Sequence, residues 1–154
     1  MKTTIRRRWR DDGGTAAVEF ALILPILVLM LAGIADLGRM VYVRSVLESA
    51  ARAGAQASFA DPSATATIEA AVQTAIAASG IANVVTPSAA QACECSNGTA
   101  VDCTTGTCAG TVRHYVTVTA TTTYTPMVNI TNLPFGLGVD LTRPLTGSSV
   151  IRAQ

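Results

Sequence analysis

Four cysteines, Cys93, Cys95, Cys103 and Cys108, fall in one short stretch, CECSNGTAVDCTTGTC. An even number clustered this way, in an oxidising compartment, forms two disulfides. Zinc would need a different rhythm. Cys-x-Cys followed by gaps of seven and four residues is not the pair-of-pairs spacing of structural zinc sites. The single histidine, His114, would need partners to act as a ligand or a general base. None lies near it in sequence, so it reads as an ordinary strand position. Asn97-Gly98-Thr99 matches a glycosylation acceptor, but a hairpin turn explains it better. Glu19 is the remaining reactive group, a carboxylate inside the start of an apolar run. No phosphate-cradling loop and no catalytic constellation is visible. The expectation is a protein that is not an enzyme and uses no cofactor and no metal.

The element that must hold Glu19 is the stretch GTAAVEFALILPILVLMLAGIA, Gly14 to Ala35. Sixteen residues from Phe20 to Ala35 carry no charge. Counted from Ala16, the run is about 30 Å long as a helix, the thickness of a bilayer's hydrocarbon core. Lys2, Arg6, Arg7, Arg8 and Arg10 precede it, against Asp11 and Asp12. That positive flank predicts a cytoplasmic N-terminus and a translocated C-terminal part. Trp9 among the arginines suits a membrane interface. A carboxylate at the centre of such a span costs ~2.5–3.5 kcal/mol. Glu19 is one turn from the edge, so its cost is lower, but it still calls for a partner.

Gly14, four uncharged residues, Glu19, an aromatic and an apolar helix, after a short basic leader, resemble a type IV prepilin signal. The longer string GTAAVEFALILPILVLMLAGIADLGRMVYVRSVLESAARAGA resembles the TadE-like family, pilin-like proteins of the tight-adherence (Tad/Flp) pilus machinery. The resemblance is dense from Gly14 to about Ala60 and looser beyond. It implies that a membrane aspartyl peptidase, the prepilin peptidase, cuts after Gly14. Residues 1–14 would then be a leader, and the mature chain would start at Thr15 with Glu19 fifth. The implied setting is the bacterial inner membrane, single-pass, with the C-terminal domain in the periplasm. The implied partners are the major pilin, other minor pilins and the inner-membrane platform of the pilus, in a system that serves bacterial adhesion. Major pilins of this system are much shorter and lack a sizeable globular part, which points to a minor pilin or assembly component here.

That arrangement has a physical logic of its own. Cutting after Gly14 would release an α-amine at Thr15, one helical turn from Glu19. Helices docking side by side could pair the amine of one with the carboxylate of another, relieving the penalty each bears alone. Two alternatives stand beside it. One is a permanently anchored periplasmic binding or scaffold module that is never processed. The other is an ordinary secretory signal peptide cut near Gly33-Ile34-Ala35, though its apolar region would be overlong and would begin with a carboxylate.

The fold class expected is α+β: a long transmembrane and projecting helix, a second short helix, and a small antiparallel sheet with disulfides. Residues 1–14 form the leader, 15–60 the long helix and 61–154 the extracytoplasmic domain. The first helix should run from about Ala16 to Phe59, some 66 Å, with Pro25 bending it. Leu37, Met40, Val41, Leu47, Ala51 and Gly54 form an apolar stripe, and Arg44, Glu48 and Arg52 can pair along one face. Gly33 and Gly38 would either admit a neighbouring helix or merely be tolerated. Asp61 and Pro62 look like the cap and first position of a second helix, whose apolar residues are Ile68, Val72, Ala75 and Ile76 and which Gly80 ends. IANVVT reads as a strand, followed by Pro87 and a small-residue stretch to Gln91, and Asn97-Gly98 as a hairpin turn. Arg113 to Tyr124 is the best strand, with Val116, Val118, Ala120 and Tyr124 on one face and threonines on the other. A loop, Asn129 to Gly138, leads to a last segment, Val139 to Arg152, with Pro144 at an edge or a break. Three or four strands result.

Four cysteines allow three connectivities. Because the Asn97-Gly98 turn brings its flanks together, the expectation is nested: Cys95–Cys103 inside Cys93–Cys108. Cys93–Cys103 with Cys95–Cys108 would need crossing bridges over a very short region. The net charge of +1, with no basic surplus outside the leader, lends no support to nucleic-acid binding.

Overall fold

The computed structural model describes residues 13–81, 83–127 and 140–153. The basic residues and Trp9 of the expected leader, and the expected loop Asn129 to Gly138, lie outside the described residues. Helix α1 spans Gly13–Ala57, 45 residues, and runs through Pro25. Its two halves differ in what they touch. From Val18 to Leu31 the large apolar side chains are all exposed. From Val43 on, the helix buries Val43, Leu47, Ala50, Ala51 and Ala55. Those positions recur at three- and four-residue steps and so make one face. Leu37 and Val41, expected in the stripe, stand more than half exposed outside it. Arg44, Glu48 and Arg52 do pair, at 3.3 and 4.0 Å. They lie on the solvent side, where such pairs are worth at most ~1 kcal/mol.

Helix α2, Thr65–Ser79, folds back on this face with Ile68, Val72 and Ile76 buried, and ends at Gly80 as the sequence predicts. Its start differs from expectation. The helix begins three residues after Pro62, and the residue at its cap, Ala64, offers no side-chain acceptor. Asp61 instead closes the turn before it. Its Oδ1 accepts the backbone N–H of Ser63 at 2.8 Å and the Ser63 hydroxyl at 2.6 Å. A short acidic side chain can bond two residues ahead as readily as it caps a helix, and here the turn wins.

The sheet has four antiparallel strands in the order β2-β1-β3-β4: β1 Val85–Cys95, β2 Ala100–Val101, β3 Val112–Tyr124 and β4 Arg143–Arg152. β1 starts later than IANVVT suggested and passes straight through Pro87 to Cys95. The hydrogen-bond directions explain this. The N–H of Ala89 points away from β3 to Glu69 Oε1 on α2, and N–H direction repeats every second residue. Pro87 therefore lacks only an N–H that would face the open edge, because β2 reaches no further than Cys93. β3 matches its sequence pattern: Val116, Val118 and Ala120 are fully buried, while Thr117, Thr119, Thr121 and Thr123 line the face away from the helices. β4 is the other edge strand, which accommodates Pro144.

The core lies between the helices and one face of the sheet. It is built around Leu47, Ile68, Val72, Val116 and Val118, each contributing ~1.5–3 kcal/mol by burial. β4 approaches closest. At Gly147 a Cβ would overlap the backbone of Leu47 and Glu48 on α1. Backbone atoms cannot step aside as a side-chain tip can. Gly147→Ala is therefore expected to destabilise the domain by about 1–3 kcal/mol. Gly33→Ala, with nothing within 4 Å of its Cβ, should leave it unchanged. Thermal melts of the two variants in detergent check this. Equal midpoints would refute the tight contact.

Candidate functional site

Three places carry chemistry. The first is the N-terminal end of α1. Gly14 and Thr15 lie in its first turn, and Glu19 follows one turn later on the exposed helix surface. Among the described residues Glu19 makes no hydrogen bond or ion pair. Nothing lies within 4 Å of where a Cβ on Gly14, Gly33 or Gly38 would stand. The segment Gly14–Ala57 is long and apolar enough to cross a membrane, and among the described residues none in its most apolar window is buried. Burying that surface is left to lipid or to other helices.

The second place is the junction between the apolar half of α1 and the sheet, and sequence reading missed it. Tyr124, at the end of β3, donates its hydroxyl proton to Asp36 Oδ1 at 2.6 Å, and the N–H of Met127 reaches the same oxygen at 3.1 Å. The guanidinium of Arg39 lies 5.9 Å from the Tyr124 ring centre, within cation–π reach. The sequence showed Asp36 as one charge at helical spacing and Tyr124 as one residue of a strand face. Their separation of 88 residues left no local signal that they meet.

Burial, and then the hydrogen bond and the charge of Asp36, push the Tyr124 hydroxyl up from 10.0 to about 12. The neutral phenol is thus favoured in the folded chain. Its contribution is complete below pH ~10, where the unfolded chain would also hold the proton, and fades as pH rises through about 12. Titration of tyrosinate absorbance should show one late-titrating tyrosine, and stability should fall between those limits. Tyr124→Phe should remove the late step and cost about 1 kcal/mol at neutral pH. A late step that survives in that variant would refute the assignment.

The third place is the cysteine hairpin. β1 and β2 are joined by a turn in which Gly98, at φ 85°, takes the left-handed conformation that glycine adopts without strain. The bridges are Cys93–Cys103 and Cys95–Cys108, with Cα separations of 5.2 and 5.6 Å. This corrects the nested expectation, and the hairpin itself supplies the reason. Cys93 pairs with Val101, so a continued ladder would set Cys103 opposite Gln91, two residues beyond Cys93 and four beyond Cys95. Four residues of strand are about 13 Å, too far for a disulfide. After β2 the chain reverses. Asp102 Oδ1 accepts the N–H groups of Thr104 and Thr105 at 2.8 and 2.9 Å, and both hydroxyls. These bonds hold its carboxyl far below the ordinary carboxylate range. That turn delivers Cys103 to Cys93 and carries the chain back to Cys95 with Cys108.

His114 lies in β3 as a strand residue, as expected, but with a cross-strand neighbour that the sequence did not place near it. It stands opposite Cys93 across the β1–β3 ladder, with Nδ1 3.3 Å from Cys93 Sγ. Cys93, Cys103 and His114 present donor atoms within 4.8 Å of one another. With the two sulfurs joined, however, they offer no thiolate to a metal.

The geometry defines a class of protein: one unbroken helix, apolar and uncovered at its N-terminal end, carrying a small disulfide-bridged α+β head at the other. Residues 14–56 match the family described as TadE-like protein. The matched stretch begins at Gly14 and covers α1 almost to its end, without reaching α2 or the sheet. No curated protein and no solved structure matches the chain.

Proposed function

We propose that this chain is a minor pilin or assembly component of a Tad-type pilus and does no catalysis. In this reading it is cut by the prepilin peptidase after Gly14 and held in the bacterial inner membrane by α1. The head stands in the periplasm, and the partners are other minor pilins, the major pilin and the inner-membrane platform. One observation carries the reading. The TadE-like match coincides with a helix whose most apolar window is not buried by any of the described residues, and it starts at the glycine where the cut would fall. That Glu19 has no partner among the described residues supports it further, since a carboxylate in an apolar segment needs a cation. The amine freed at Thr15 of a neighbouring subunit would supply one.

Mass analysis of the N-terminus of membrane-extracted protein tests the processing. A start at Thr15 is expected. A start at Met1 would favour the permanently anchored module, and one near Asp36 simple secretion. Gly14→Val should leave the precursor uncut, because a side chain there keeps the backbone from lying close to the peptidase. Normal processing of that variant would overturn the cleavage assignment.

Glu19→Ala separates insertion from assembly. Membrane insertion should be unchanged or improved, since a charge leaves the apolar segment. Co-purification with other pilus components should drop severalfold, as the neighbouring amine loses its counter-charge. Undiminished co-purification would rule out the amine pairing.

A further inference from the structure

The two disulfides are matched in burial. Each joins a buried cysteine on β1, Cys93 at 4% or Cys95 at 7% exposure, to a half-buried one in the following loop, Cys103 or Cys108. A pocket of about 410 Å³ adjoins Cys95–Cys108, so access is open to both, and what sets them apart is one chemical neighbour. The chain's only imidazole, His114, lies 3.3 Å from the sulfur of Cys93. Beside that bridge a pocket of about 260 Å³ opens, lined by Asp61, Gln91, Cys103, Thr104 and His114. Cys103 and His114 both line this pocket, so a reagent that enters it meets Cys103.

We propose that Cys93–Cys103 is a thiol-exchange site whose substrate is a dithiol, with His114 as the group that holds the departing thiolate. A thiolate of the dithiol attacks Cys103 Sγ through the pocket. A new S–S bond joins Cys103 to the reagent as the Cys93–Cys103 bond breaks, and its electron pair goes to Cys93 Sγ. The imidazole, in the tautomer that carries its hydrogen on Nδ1, donates Nδ1–H to that thiolate. The second thiolate of the dithiol then attacks its own bridged sulfur and releases Cys103 as a thiolate. Two cysteines are reduced, the dithiol is oxidised to its disulfide, and the reverse sequence closes the bridge again.

Exchange is faster when the leaving thiolate is the better stabilised, and a hydrogen bond from the neighbouring imidazole stabilises it. Asp61, the carboxylate in the pocket wall, is turned to Ser63 by its two hydrogen bonds. Cys95–Cys108 has no such assistance and keeps the hairpin tied while the first bridge is open. His114 touches the reacting sulfur, so its role is in the exchange step itself.

The experiment uses the full chain in detergent, exposed to limiting dithiothreitol, quenched with acid, alkylated and mapped by peptide. Cys93–Cys103 should open about tenfold faster than Cys95–Cys108, and His114→Gln should slow it by a similar factor while leaving the other bridge unchanged. With glutathione, a monothiol, the trapped adduct should sit on Cys103 with Cys93 alkylated. Equal opening rates in the wild type, an adduct on Cys93, or an unaltered rate in His114→Gln would each overturn the proposal. If His114→Gln unfolds and both bridges open together, the wild-type order and the position of the adduct still decide.

Discussion

A single helix has to satisfy two surroundings, and the rest of the molecule is arranged around that constraint. Among the described residues no residue in the most apolar window of α1 is buried, while its C-terminal half supplies one wall of the domain core. Backbone hydrogen bonding makes the combination possible, because a helix satisfies its own polar groups whatever solvent lies around it. Change of environment is then written only in side chains. Leu22 to Leu31 face outward, whereas Val43, Leu47 and Ala50 face the sheet.

The head is attached to this helix at two levels. Along its length, β4 lies so close that Gly147 touches the peptide between Leu47 and Glu48, and α2 seals the other flank. At the end nearer the apolar run, Asp36 receives the Tyr124 hydroxyl and the Met127 N–H. A charge placed where the apolar run ends thus becomes an anchor for the last turn of β3. Force along the helix would pass into the sheet through both levels, and neither depends on the disulfides.

The cysteine end is the opposite extreme of the same sheet. β2 is two residues long, too short to hold a hairpin in water unaided. Two bridges and the Asp102 turn replace the ladder that β2 lacks, and the Gln91 amide bonds the carbonyl of Pro62 to tie this end to the turn between the helices. The chemistry proposed for Cys93, Cys103 and His114 arises where covalent links take over from packing.

Period and punctuation were legible in the residues alone. The apolar run, the four-residue spacing of Ile68, Val72 and Ile76, the stop at Gly80, the alternation of Val116 to Tyr124 and the turn at Asn97-Gly98 each act through neighbours a few residues apart. Local sequence therefore determined the α+β class, the long helix and the main strand. It could not decide contests between equally local choices, as at Asp61, where capping a helix and closing a turn use the same oxygen. Nor could it decide matters that depend on register. Pro87 is harmless only because β2 stops short of it, and the bridges pair as they do only because Cys93 is opposite Val101. The meetings of Tyr124 with Asp36 and of His114 with Cys93 belong to tertiary structure entirely, since strand pairing and helix packing join residues whose sequence separation carries no periodic signal.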